Sequence, residues 1–157
     1  MKVCIVGAGA IGGWIGAKLV RAGHTVTVLA RGAALAAIKE NGLQLIEGGV
    51  TQVARVHAAA SATELDTPDL LVIAVKAPGL RDAAVSVASL IGPNTIVLTA
   101  MNGVPWWFFD RADRPLAGAQ LATIDATGEI AKSIPSRNVI GCVVHAACSV
   151  DAPGVIR

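Results

Sequence analysis

The stretch GAGAIG at residues 7–12 constrains the fold of this chain more than any other feature of its sequence. It directly follows the apolar run from Lys2 to Val6 and opens a helical pattern that extends from Ala10 to Ala22. The run before it shows no polar alternation, which is typical of a strand buried on both faces. A G-x-G-x-x-G loop between such a strand and a helix predicts a tight β-turn-α unit with exposed backbone in the turn.

Each glycine of this loop has a predicted task. Gly7 permits the tight turn, Gly9 lets the backbone approach a pyrophosphate, and Gly12 allows the helix to pack closely against the strand. Free N–H groups at the start of the helix favour an anion there. The sequence therefore predicts a dinucleotide site formed by Gly7, Ala8, Gly9, Ala10, Ile11 and Gly12. The alternative is a glycine-rich packing turn that binds no ligand.

Strand patterns alternate with helical patterns along the rest of the chain. Strands are predicted at residues 25–30, 69–75, 95–100 and 138–150, helices at 33–40 and 81–90, and a hairpin around Gly48-Gly49. This order predicts a Rossmann-type α/β fold, a doubly wound and mostly parallel sheet with helices on both faces. The 157 residues fit one domain, 1–157. Residues 105–137 are predicted to be partly helical, and a new strand is predicted to begin after Pro153.

The second strand ends at Ala30-Arg31-Gly32, where an NAD-binding protein usually carries an acidic residue that binds the ribose 2′-hydroxyl. The first acidic residue of this chain is Glu40. A guanidinium at this position can bind a 2′-phosphate through two parallel hydrogen bonds. Arg31 therefore predicts NADP(H) rather than NAD(H), the alternative being a solvated arginine in a βα loop.

Composition and charge indicate which kinds of partner and which cellular location to expect. The net charge of +2 gives no reason to expect a nucleic acid, and no apolar run reaches the length of a membrane span. Three cysteines without a disulfide framework predict a reducing, cytoplasmic location. Hydrophobic residues make up 54% of the chain, which predicts that some apolar surface contacts another domain or subunit.

With these residues in view, the chain resembles the ketopantoate reductase (2-dehydropantoate 2-reductase) family. The resemblance is carried by GAGAIG, Arg31, AVKA, MNG, and GCVVHAA followed by PGVIR. It implies NADPH-dependent reduction of a 2-keto acid, ketopantoate, to pantoate on the route to pantothenate. It also implies that Lys76 contacts the cofactor, that Asn102 lies between nicotinamide and substrate, and that the backbone of Ala147 lies beside the cofactor.

The same resemblance implies that part of the active site is absent from this chain. In the family, a lysine of a helical C-terminal domain donates the proton, and that domain makes most substrate contacts. Nothing here corresponds to that domain, and Lys132 lies too early in the sequence to replace its lysine. We therefore expect 1–157 to bind cofactor, to contain no catalytic residue, and to require the C-terminal domain, with a homodimer partner left open.

Two further clusters of residues leave alternatives open. Cys142, His145 and Cys148 are not expected to bind a metal, because alternation along a strand would point the histidine away from both cysteines. The aromatic quartet, Trp106 to Phe109, forms either a wall over the nicotinamide or substrate or an anchor for another domain or subunit. The functional alternatives are a reductase of another small keto acid and a module that senses a dinucleotide without turning it over.

Overall fold

The computed structural model describes residues 1–110, 113 and 115–157, which form ten strands and four α-helices. The strands are β1 (Lys2–Val6), β2 (Thr25–Leu29), β3 (Leu43–Glu47), β4 (Val50–Ala54), β5 (His57–Ala59), β6 (Leu70–Ile73), β7 (Ile96–Ala100), β8 (Val139–Cys142), β9 (Val150–Ala152) and β10 (Val155–Ile156). The helices are α1 (Ala10–Arg21), α2 (Gly32–Asn41), α3 (Leu80–Val87) and α4 (Glu129–Ser133). The predicted strand–glycine loop–helix unit is confirmed.

The main sheet contains six parallel strands in the order β5-β2-β1-β6-β7-β8. The chain leaves β1 in one direction, through β2 to β5, and then returns to the other side of β1 to build β6, β7 and β8. The strand order therefore reverses beside β1, and open α/β sheets bind ligands at the carboxyl ends of the strands at such a point. The predicted doubly wound fold is confirmed, and its reversal point lies at the glycine loop.

Alternate side chains of β1 enter two separate hydrophobic clusters. Val3 and Ile5 pack in the cluster that includes residues of α1 and α2, whereas Cys4 and Val6 pack in the cluster that includes α3 and α4. The absence of polar alternation in β1 is thus explained by burial on both faces. Burial also raises the pKa of the Cys4 thiol to about 12, so this cysteine is an inert core residue.

A second, four-stranded sheet covers the outer side of α1, in the order β4-β3-β10-β9. The hairpin predicted around Gly48-Gly49 is its β3–β4 pair. Helix α1 lies between the two sheets, and its glycines permit the close contact. A Cβ atom at Gly13 would lie 2.6 Å from Ile156, and one at Gly16 would lie 3.4 Å from both Ile5 and Leu43.

The strand predicted over 138–150 is wrong as a single element. Its first part, β8, joins the main sheet, whereas β9 begins only at Val150 and joins the second sheet. The residues between them are not paired in a sheet. An apolar pattern indicates extended chain but does not indicate which strand it pairs with. The two strands β8 and β9, which belong to different sheets, were therefore predicted as one. The strand predicted after Pro153 is β10, which turns back at Gly154 to pair with β9 and β3.

The segment 105–137 is mostly turns in its described part, with the short helix α4 near its end. Residues 111, 112 and 114 of this segment lie outside the described residues. Strand β5 was not predicted, because three residues carry too little pattern to be recognised. In the described parts of the chain, every helix is too short or too polar to cross a membrane.

Candidate cofactor site at the carboxyl edge of the main sheet

The turn after β1 has a backbone that requires glycine at two positions. Gly7 has a φ of +100°, and a Cβ atom there would lie 2.8 Å from the carbonyl oxygen of Ala74. At Gly12 a Cβ atom would lie only 2.0 Å from the carbonyl oxygen of Gly7. Because both Cβ atoms are absent, the start of α1 can lie close to β1 and to the end of β6. This geometry agrees with the tight turn predicted for Gly7 and the close helix packing predicted for Gly12.

Gly9 differs from these two glycines, because no atom lies within 4 Å of the position its Cβ would take. It is the N-cap residue of α1 and has no side chain with which to cap the helix, and the first turn of α1 contains no acidic residue. The N–H groups of the first turn therefore lack intrahelical acceptors and carry the positive end of the helix dipole. This geometry fits a phosphate group that approaches the bare backbone.

A cavity of about 550 Å³ joins this loop to the end of β2. Gly7, Ala8, Gly9 and Arg31 all line it. Arg31 is exposed and forms the N-cap of α2, so it lies in the second βα turn. The structure thus brings the predicted pyrophosphate loop and the predicted 2′-phosphate ligand to one cavity. Their roles in binding stay predictions.

Three polar residues that sequence reasoning missed also line this cavity, namely Ser61, Asp82 and Ser86. Ser61 caps the turn after β5, and the other two belong to α3. Asp82 lies in the first turn of α3, the helix that follows β6, and this position in a parallel sheet is the signal that could have identified it.

Lys76 lies at the boundary between this cavity and a second one. Its neighbours Val75 and Gly79 line the first cavity, whereas Ala77 and Pro78 line the second. The side chain of Lys76 is exposed and, within the described residues, makes no hydrogen bond or ion pair. Its ammonium group is therefore available to a ligand that crosses the boundary, as the resemblance implies for the cofactor.

The second cavity, of about 720 Å³, is lined by residues that follow β7, among them Asn102 and the first three aromatic residues of the quartet. The side-chain amide of Asn102 donates to the carbonyl oxygen of Val144 at 3.2 Å, and its oxygen accepts from the N–H of Val144 at 2.8 Å. Each of these groups retains a further hydrogen-bonding position. Asn102 therefore fixes the chain after β8 and can still contact a ligand.

The segment after β8 presents its side chains alternately, although it is not a strand. Cys142, Val144 and Cys148 are half-buried, whereas His145 and Ala147 are exposed. The cysteines and the histidine thus face opposite ways, as expected. Within the described residues, no three metal-binding side chains lie together. Ala147 lines neither cavity, so only the resemblance assigns it to the cofactor.

Helix α4 forms one wall of the second cavity through Ile130, and a buried carboxylate holds the helix in place. Asp125 is 4% exposed and accepts hydrogen bonds from the N–H groups of Ile130 at 3.1 Å and Ala131 at 2.9 Å. A carboxylate at this end of a helix satisfies donors that otherwise lack acceptors. The segment 105–137, for which the sequence predicted only partial helix, therefore supplies a defined wall of the cavity through α4.

A doubly wound parallel sheet, a glycine loop at its reversal point and a bare helix N-terminus define a Rossmann-type protein, the class of fold that binds dinucleotides. Comparison with known proteins then identifies the family. The family model described as ketopantoate reductase PanE/ApbA matches residues 3–114. The chain belongs to the ketopantoate reductase family, as the sequence motifs indicated.

Curated relatives support this assignment over the whole chain. A 2-dehydropantoate 2-reductase from Mesorhizobium japonicum is 50% identical over 158 aligned positions, which cover 100% of this chain and 48% of the relative. A 2-dehydropantoate 2-reductase from Pyrococcus abyssi is 30% identical, over 100% of this chain and 44% of that protein. The chain spans about half the length of the curated relatives it matches.

Solved structures show the same fold. A ketopantoate-reductase-like protein from Ralstonia solanacearum superposes with a TM-score of 0.95 at 52% identity, over 99% of this chain and 48% of the other. A D-mandelate dehydrogenase solved with NADH and anilino(oxo)acetate gives a TM-score of 0.78 at 25% identity, over 99% and 44% of the two chains. The family comprises reductases that use a nicotinamide dinucleotide.

Proposed function

We propose that this chain is the cofactor-binding part of an NADPH-dependent reductase of a 2-keto acid. The observation that carries the proposal is the single cavity shared by the glycine loop and Arg31. The loop backbone and the start of α1 bind the pyrophosphate, and the guanidinium binds the 2′-phosphate. The names of the relatives make ketopantoate the first candidate substrate, with pantoate as its product.

When bound, NADPH supplies the hydride that reduces the keto carbon, and the protein must orient the two molecules and supply a proton to the carbonyl oxygen. In this chain, Lys76 contacts the cofactor at the boundary of the two cavities, and Asn102 contacts the nicotinamide or the substrate. The proton donor belongs to a C-terminal domain of the kind that the family resemblance implies, beyond residues 1–157. A cytoplasmic location and one domain for 1–157 are part of the same proposal.

A reductase of another 2-keto acid is the second candidate. Two observations favour it. The D-mandelate dehydrogenase that shares the fold was solved with anilino(oxo)acetate, an aromatic keto-acid analogue, and the cavity beside Asn102 carries three aromatic residues in its wall. A module that only senses the dinucleotide is disfavoured by Asn102, which follows β7 and is the residue that the resemblance places between nicotinamide and substrate.

The 2′-phosphate assignment is tested by calorimetric titration of the Arg31→Ala variant with NADPH and NADH. The proposal predicts that the variant loses at least about tenfold in affinity for NADPH, because a charge-assisted contact is removed, and keeps its affinity for NADH. The matched control is Arg55→Ala, an exposed arginine between β4 and β5 that lines neither cavity. Unchanged NADPH affinity in Arg31→Ala would overturn the assignment.

The substrate is tested with the full-length protein by following the absorbance of reduced nicotinamide. Ketopantoate added to enzyme and NADPH should cause oxidation of the cofactor, and the same substrate with NADH should react more slowly. No oxidation with ketopantoate, but oxidation with a different 2-keto acid, would select the second candidate. No oxidation with either class, despite tight NADPH binding, would select the sensing module.

A further inference from the structure

We infer that Arg81 binds the carboxylate of the 2-keto acid from the wall of the second cavity. This inference deepens the proposed function and depends on it, because it names a substrate-binding residue for the same reaction. It is carried by the charge of the cavity wall, by the hydrogen-bonding positions that Arg81 keeps free, and by a buried hydroxyl group without a partner.

Arg81 is the only charged residue among the described residues that line the second cavity, whose volume is about 720 Å³. The rest of this wall is apolar, aromatic or neutral and polar. A 2-keto acid carries a carboxylate, and removing that charge from water is costly unless a cation or several donors compensate it. In the described part of the chain, Arg81 is therefore the cavity residue that can neutralise such a ligand.

The guanidinium of Arg81 retains one free edge for an anion. Its Nε atom donates to Oε2 of Glu129 at 2.5 Å, and its Nη2 atom forms an ion pair with the same oxygen. These two nitrogens form one edge of the planar group, and the edge formed by the two terminal nitrogens has no acceptor among the described residues. This free edge matches the two oxygens of a carboxylate. The side chain is 60% exposed, so a ligand that enters the cavity from solvent can reach it.

Glu129 orients the guanidinium and leaves that edge open. The hydroxyl of Thr127 donates to Oε2 of Glu129 at 2.9 Å. The hydrogen bonds from Thr127 and Arg81 lower the pKa of Glu129, so this carboxylate is charged at neutral pH. Arg81 lies in the first turn of α3, at the positive end of the helix dipole, where a cation is unfavourable. The helix therefore gives no reason for an arginine here, which leaves the ion pair and an anionic ligand as reasons.

Two further polar residues of the wall agree with a ligand that carries several oxygens. Thr99 of β7 is only 5% exposed, and its hydroxyl keeps some accessible surface but forms no hydrogen bond among the described residues. A ligand oxygen gives this hydroxyl the partner that buried polar groups require. Asn102, which the resemblance places between nicotinamide and substrate, lines the cavity too. Because the carboxylate of a 2-keto acid is bonded directly to the keto carbon, a cation in the cavity of Asn102 suits it.

The test is calorimetric titration of the full-length protein, saturated with NADP⁺, with pantoate and with pantolactone. Pantolactone has the same carbon skeleton, but its carboxylate is closed into a neutral ring. The inference predicts that Arg81→Gln weakens the binding of pantoate at least about tenfold, because a charge-assisted contact is lost, and leaves the binding of pantolactone unchanged. Equal pantoate affinity in the variant and the wild type, or no preference of the wild type for pantoate, would overturn it.

The matched control is Glu129→Gln, which breaks the same ion pair from the other side. If Arg81 only ties α3 to α4, both variants lose pantoate affinity equally, and that result overturns the inference. We expect instead that Glu129→Gln keeps or increases pantoate affinity, because it removes a carboxylate that competes for the guanidinium. Arg81→Lys should recover part of the loss, since it restores the charge without the planar fork.

The outcomes separate this inference from the proposed function. Arg81 does not line the first cavity, so every variant should bind NADP⁺ as the wild type does, which also shows that it is folded. If NADP⁺ binds and Arg81→Gln keeps its preference for pantoate, the inference fails while the cofactor proposal stands. If the wild type does not bind NADP⁺, the proposed function itself fails.

Discussion

Gly9 and Gly12 belong to the same loop but differ in how closely other atoms surround them. Gly12 is required by packing, because its missing side chain leaves room for the carbonyl oxygen of Gly7. Gly9 is free of any such contact, so packing within the chain gives no reason for it. The difference lets stability and ligand binding be tested separately at neighbouring positions.

We predict that alanine at position 12 mainly lowers stability, whereas alanine at position 9 mainly lowers the affinity for NADPH. Gly12→Ala should destabilise the fold by about 2 kcal/mol or more, because a Cβ atom 2.0 Å from backbone must displace it. Gly9→Ala should cost no more than about 1 kcal/mol in stability but at least about tenfold in NADPH affinity, because the methyl group meets the pyrophosphate. Urea denaturation and calorimetric titration measure the two quantities. Normal NADPH binding by Gly9→Ala would show that the loop is only a packing turn.

A cluster of charged side chains joins α1 to the second sheet. Lys18 donates to Glu47 of β3 at 2.5 Å, and Arg21 forms an ion pair with the same carboxylate at 3.4 Å. The hydrogen bond from Lys18, together with smaller contributions from Trp14 and Arg21, lowers the pKa of Glu47. The charged form of Glu47 is therefore favoured in the folded protein.

This lowered pKa has a defined consequence for stability. The contribution of Glu47 is present above the usual carboxyl pKa and is lost as the pH falls through its lower folded value. We predict that Glu47→Gln melts below the wild type at neutral pH and that the difference disappears in acid. Thermal unfolding of both proteins across this range measures it, with Glu40→Gln, an exposed glutamate, as control. A difference independent of pH would show that packing rather than charge is responsible.

The elements that the sequence predicted are those with strong local signals. β1, α1 and the β3–β4 hairpin carry an apolar period and glycine turns of their own, and all three form as predicted. β8 and β9 could not be separated, because the choice of sheet depends on partners distant in sequence. The cavity wall at Ile130 was missed for the same reason, since the long connection between β7 and β8 that brings it to the site leaves no local pattern.

The chain holds a candidate cofactor cavity and a candidate substrate cavity, but it spans about half the length of the curated relatives it matches. We predict that residues 1–157 alone bind NADPH and do not oxidise it with ketopantoate, because the proton donor that we propose lies outside them. The absorbance of NADPH is followed after ketopantoate is added to residues 1–157 and, in parallel, to the 2-dehydropantoate 2-reductase from Mesorhizobium japonicum. Turnover by residues 1–157 alone would show that a donor is present within them.

We propose above all that this chain selects NADP(H) through the cavity shared by its glycine loop and Arg31. Calorimetric titration of the wild-type chain with NADPH and with NADH tests it most directly. We expect one site that binds NADPH at least about tenfold more tightly than NADH, a difference of about 1.4 kcal/mol or more. Equal affinities, or no binding of either dinucleotide, would contradict it.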